Sequence, residues 1–175
     1  HLCLQLQMKI DLKNSIYSSD KIIWCATIIL SRIMFKESNI NFKIGIKELE
    51  KFLKNYFDEK GFPKSRNPEE VFISIKYLIL IREWFQEAQK PIPDFLNEII
   101  QKCGKCYSLL SGGNKQFHLF NGSSEINYDE YDKFLKTLQY KFNNTNNKIS
   151  GFIKFTKKKL EFFLDCLNPT QNNIT

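Results

Sequence analysis

The chain has 175 residues, 42% of them hydrophobic and 14% aromatic, with 16 phenylalanines. That allows a real core in one domain, or in one domain plus part of another. The net charge of +7 invites a polyanionic partner, whether nucleic acid, an anionic lipid surface or an acidic polysaccharide. The charge is spread, however, and the densest basic run is only Lys157-Lys158-Lys159. Five cysteines, an odd count at irregular spacing, do not look like a disulfide framework. The most apolar run, Ile22 to Phe35, is too short to span a bilayer and is followed by Lys36 and Glu37. No charged region leads an apolar core at the start, His1-Leu2-Cys3-Leu4, so no secretory signal is visible. The reading is a soluble protein. A start on His suggests a fragment, or a product whose leader is already missing.

In chain order, Leu2, Leu4, Leu6 and Met8 alternate with polar residues in a strand-like period, and Asn14 to Ser19 read as loop. Asp20 caps an expected helix from Lys21 to about Glu37, ended by Ser38-Asn39. A second helix is expected from about Phe42 to Glu59, with Leu49, Phe52, Leu53 and Tyr56 at helical spacing. The loop Gly61-Phe62-Pro63-Lys64-Ser65-Arg66-Asn67 follows. Pro68 suits the first position of a third helix that runs to about Gln89. Asn67 and Glu70 have capping-box spacing, and Glu69 and Glu70 favour the helix dipole. Val71, Phe72, Ile75, Leu78, Ile79 and Phe85 line one side of this helix. Tyr77, Ile81 and Trp84 widen that surface, so burial on more than one face is expected.

Pro91-Ile92-Pro93 stops the chain and Asp94 starts a fourth helix to about Leu110. Ser111-Gly112-Gly113-Asn114 is a break, and Phe117 to Phe120 an extended segment. A short helix is expected from Tyr128 to about Tyr140, then an Asn-rich linker from Phe142 to Ser150. Phe152 to Phe155 and Leu160 to Leu164 read as a hairpin with one wet face, joined by Thr156 to Lys159. The tail from Asn168 reads as loop. Helix pairs with short connections suit a toroid or solenoid, and the late strands suit a β domain cut short.

Few residues announce chemistry. Cys103-Gly104-Lys105-Cys106 has metal or redox spacing, but no second Cys or His pair completes it, so incidental helix cysteines are the expectation. No metal or cofactor is called for. His118 is a candidate acid or base, with an ordinary polar residue in an extended segment as the plain alternative. Aromatic and basic residues interleave at 152–163, but a hairpin with one wet face gives the same pattern, so nucleic acid is not the expected partner. Arg66 and Asn67 project polar groups from a stiffened loop, which suits either a well-built helix start or a binding cleft.

The order of three features resembles the heparinase II/III-like family of alphaproteobacteria. They are Asp58 through Gly61 to Ser65-Arg66-Asn67-Pro68, then the helix through Leu80-Ile81-Arg82 to Pro91-Ile92-Pro93, then Leu119-Phe120-Asn121-Gly122 before a hairpin and Asp165-Cys166. The resemblance covers roughly residues 40–168. It implies a helical toroid joined to an antiparallel β domain, and cleavage of uronic-acid polysaccharides by β-elimination. That reaction needs groups that neutralise a carboxylate, together with an acid and a base. The resemblance implies a neutralising or substrate-gripping role for Arg66 and Asn67, with Asn121 lining the same cleft, and His118, three residues before Asn121, joins them as a substrate-binding candidate. Pro63 stands where the family has a histidine, and Phe62 where it has a second glycine.

The expected fold is therefore mainly α: a partial α/α toroid of helical hairpins over residues 1–145, then a short C-terminal antiparallel β-hairpin opening a truncated β domain over 146–175. The expected function is that of an incomplete polysaccharide lyase, inactive as this chain, with an acidic polysaccharide as partner. No residue is assigned as the catalytic base. A non-catalytic glycan-binding or structural envelope protein is the alternative, and a basic nucleic-acid-binding module ranks third. The resemblance points to the cell envelope and the lack of a visible signal to the cytoplasm, and the sequence leaves both open.

Overall fold

The computed structural model describes residues 20–34, 39–111, 117–118, 120–158 and 160–166, with backbone only for 39–42 and 44. The alternation at Leu2–Met8, the loop at 14–19, the end of the first helix beyond Met34, the glycines of the 111–114 break, Leu119 and the tail lie outside the described residues. Five helices precede a small sheet. They are α1 (Asp20–Met34), α2 (Asn39–Tyr56), α3 (Pro68–Glu87), α4 (Asp94–Leu110) and α5 (Tyr128–Thr137). Strands β1 (Lys148–Ile149), β2 (Phe152–Lys157) and β3 (Leu160–Asp165) follow. The fold is mainly α with a C-terminal antiparallel sheet, as the periodicity predicts. Among the described residues no helix is long and apolar enough to cross a membrane.

The helical stripes explain the packing. Ile22, Cys25, Ala26 and Ile29 bury one face of α1, and Leu49, Phe52, Leu53 and Tyr56 one face of α2. α3 is buried on more than one side, with Val71, Phe72, Ile75, Leu78, Ile79 and Ile81 all sealed from solvent. It packs between α1 and α4, and α2 packs on α1. The two tryptophans, Trp24 on α1 and Trp84 on α3, are half-buried against this core. These helices do not by themselves establish a toroid.

Helix ends differ from the sequence expectation for local reasons. α2 begins at Asn39, inside the expected break, and stops at Tyr56 rather than Glu59. Its C-terminal side is taken over by Asp58, whose Oδ1 accepts the N–H groups of Lys60 and Phe62, both at 2.9 Å. α3 and α5 stop two to three residues early. Gln89 and Gln139 adopt φ of 53° and 60°, and Lys90 and Tyr140 donate back to the Phe85 and Leu135 carbonyls. This is a Schellman closure with Gln where Gly is usual, so no glycine announced the stop.

The sheet order is β1-β2-β3, both pairs antiparallel. β1 lies in the stretch where the sequence predicts an Asn-rich linker. Its turn, Ser150-Gly151, has φ of 50° and 78°, the positive pair that a tight hairpin turn requires. β2 and β3 pair from Phe152↔Asp165 to Lys157↔Leu160, so the strands extend through Thr156-Lys157, where the sequence predicts the connecting loop. Phe152 is 0% exposed and belongs to the same apolar cluster as the helices.

Candidate functional site

The loop after α2 is pressed against α4. Gly61 has φ of 86°, and a Cβ there would lie 2.5 Å from Lys102 Cβ and 2.9 Å from its carbonyl carbon. Only glycine fits this path. Cys103 Sγ donates to the Gly61 carbonyl at 3.4 Å and Cys106 Sγ to the Lys60 carbonyl at 3.6 Å. Both thiols are buried, and burial pushes both well above the ordinary thiol range. The Cys-x-x-Cys spacing thus seats a loop on a helix. Phe62 and Pro63 are buried, with Phe62 packed 4.5 Å from the Phe152 ring. Pro63 therefore turns inward rather than toward solvent.

Asn67 caps α3: its Oδ1 accepts from Glu69 N at 2.8 Å. The reciprocal half of the capping box is missing. Glu70 instead accepts from the hydroxyls of Ser65 and Tyr56, the latter at 2.7 Å. Burial, then the Glu70 carboxylate, raises the Tyr56 phenol far above its ordinary value. Glu69 is also used: it accepts from Ser124 N at 3.0 Å, and the Ser124 hydrogen bonds hold its carboxyl below the usual range.

Arg66 does not face an open cleft. It is 9% exposed and sits at φ 61°. Its Nε donates to Asp165 Oδ2 at 3.0 Å, its Nη2 to Asp165 Oδ1, and its Nη1 to the Ser150 carbonyl at 3.0 Å. The guanidinium lies 4.1 Å over the Phe152 ring. This bidentate, stacked geometry clamps the loop to one end of the sheet, where the last residue of β3 meets the β1–β2 turn. Arg66 is a positioning residue here.

The segment after α4 reaches the same place. Asn121, exposed and at φ 51°, donates from Nδ2 to the Arg66 carbonyl at 3.0 Å and to Asp165 Oδ2 at 3.4 Å. Ser123 Oγ donates to Asn67 Oδ1 at 2.8 Å. His118 stacks on Phe163, centroids 5.0 Å apart, with Nε2 3.2 Å from Glu161 Oε2. Lys154 approaches the same Glu161 carboxylate at 3.5 Å and donates to the Ser111 carbonyl at 2.7 Å. Arg66, Asn67, Asn121 and His118 are thereby gathered around one side of β3.

A recess of 360 Å³ opens there, lined by Phe117, His118, Phe120, Asn121, Phe163 and Asp165. It offers aromatic faces, an imidazole, an amide and a carboxylate. Two larger hollows lie elsewhere. One, of 580 Å³, has Leu53, Phe57, Phe95 and Ile99 between α2 and α4. The other, of 740 Å³, is polar and surrounds Arg82, whose guanidinium bonds Asn97, Glu83 and the Tyr140 hydroxyl at 2.9–3.0 Å. No protein-family model, curated protein or solved structure matches this chain.

Asp165 and Glu161 are the site residues that the sequence reading did not assign. Period-two alternation was the signal available. It puts Glu161, Phe163 and Asp165 on one face of β3, but it does not say that this polar face turns inward.

Proposed function

We propose that this chain carries the helix-to-sheet junction of a heparinase II/III-like polysaccharide lyase, and that it binds an acidic polysaccharide in the His118–Asn121–Phe163 recess without cleaving it. One observation carries the reading. The Ser-Arg-Asn-Pro loop and the Asn121-Gly122 turn are 55 residues apart, yet they are joined by the Asn121-to-Arg66 and Ser123-to-Asn67 hydrogen bonds. The resemblance implies that these two motifs line one cleft, and their contact supports that reading. β-Elimination needs a carboxylate-neutralising group, a base and an acid. Arg66 is committed to Asp165, and among the described residues no tyrosine lines the recess. His118 and the exposed Asn121 are the groups left to meet a sugar.

The test pairs binding with turnover over a panel of uronic-acid polysaccharides. Affinity electrophoresis should show retardation that His118→Ala and Asn121→Ala each weaken, while absorbance of the unsaturated product stays flat. No retardation at low salt with any member would end the glycan reading. Product formation would restore the catalytic one. A purely structural role is the second reading, favoured by the internal bonds that occupy Arg66 and the Asn67 Oδ1. It predicts no retardation and a stability loss in Arg66→Ala.

A further inference from the structure

The sheet sorts its side chains in an unusual direction. Strand pairing puts Phe152, Lys154, Glu161, Phe163 and Asp165 on the face toward the helices. The opposite face carries Ile153, Phe155, Leu160, Phe162 and Leu164. Phe155, Leu160, Phe162 and Leu164 are 51–62% exposed. The patch they form is on the order of 500 Å², at the top of what a monomer leaves uncovered.

The charges are sorted too. Both carboxylates of the described strands, Glu161 and Asp165, point inward, where the cations of Lys154 and Arg66 meet them. The outward face has only cations. Lys148 stands beside Ile153 at one end, and Lys157 stands opposite Leu160 at the other. Lys158 follows in the turn at φ 55°. A second copy of this face would bring lysine toward lysine. A partner with an apolar layer directly beneath an anionic layer complements it at both ends and in the middle.

The geometry points to a peripheral membrane-docking face. The hairpin lies flat on an anionic bilayer, Phe155, Phe162 and the leucines enter the acyl boundary, and Lys148, Lys157 and Lys158 hold the headgroup phosphates. The strands are about 20 Å long, which places the cations on either side of the buried patch. The physics is that of interfacial helices and polybasic segments, carried here by a sheet.

The test is cosedimentation of the full chain with vesicles of phosphatidylglycerol and phosphatidylcholine in equal parts, against pure phosphatidylcholine. Association with the mixed vesicles is expected, weakened about fivefold by Lys157→Gln and further by salt. Phe155→Ser/Phe162→Ser should lower it at least tenfold with helical circular dichroism unchanged. Equal pelleting of the serine variant and the parent would overturn the assignment. So would failure to pellet at low salt. A concentration-dependent dimer that the serine variant abolishes, without vesicle binding, would give the face to a second copy and also overturn it.

Discussion

The two faces of one hairpin obey opposite rules. Toward the helices, β2 and β3 present charged residues that are all engaged, around the single sealed ring of Phe152. Toward the outside they present phenylalanines and leucines that touch little. The lesson is that alternation identifies a strand but not which side of it is wet. The inward polar face works because each charge meets a built partner: Lys154 and Glu161 are half-buried, and Asp165, though exposed, is gripped by Arg66.

Breaking the inner face should cost most. Phe152→Ala removes a ring in contact with Phe62, Phe120, Phe163 and the Arg66 guanidinium. Urea denaturation should show a loss of about 3–4 kcal/mol. Arg66→Ala removes the fork on Asp165 and the stack on Phe152, but Asp165 is exposed and keeps its Asn121 contact, so the loss should be about 1–2 kcal/mol. Arg66→Met/Asp165→Leu, which removes both charges, should recover much of that. A double variant worse than Arg66→Ala would show that the pair is not what the clamp contributes.

Alkali sharpens the comparison from the helical side, because the sheet contains no tyrosine. Burial and, next, the neighbouring carboxylates Glu130 and Glu83 raise Tyr131 and Tyr140 from 10.0 to about 12. The unfolded chain releases these protons first. Stability should be intact below pH 10 and fall as pH rises through about 12. Tyr140→Phe should flatten the fall when denaturation midpoints are compared at pH 9 and pH 11. An unchanged slope would remove Tyr140 from this account. The smallest effect belongs to the outer face, where Phe162→Ser should move stability by no more than about 0.5 kcal/mol. A larger loss would mean that the face is already covered.

Much of the helical body was legible in the residues. The Asn67 cap, Pro68, and the stripes on α3 and α4 signal their elements through propensity and period, which are local. The early stops at Gln89 and Gln139 were hidden, because a left-handed glutamine looks like any helical one. β1 was hidden in an Asn-rich run, since two paired residues carry no period. Motif order singled out Arg66, Asn67 and Asn121, and His118 stood out as one of two histidines, but the contacts these side chains make were not legible. That Arg66 spends its fork on Asp165, 99 residues away, is a tertiary fact. So is the burial of Phe62 and Pro63, which seat the loop rather than serve a substrate.

The placement of the two indoles has a practical consequence. Trp24 and Trp84 both sit in helices that pack on one another, and the sheet has none. Intrinsic fluorescence therefore watches the helical body and is blind to the hairpin. If emission and far-ultraviolet dichroism trace one denaturation curve, the shared Phe152 core makes helices and sheet a single cooperative unit. If the curves separate, the hairpin lets go first and does so in the dark. Phe155→Trp would then place a lamp on the lipid-facing side, where contact with acyl chains shifts emission to the blue.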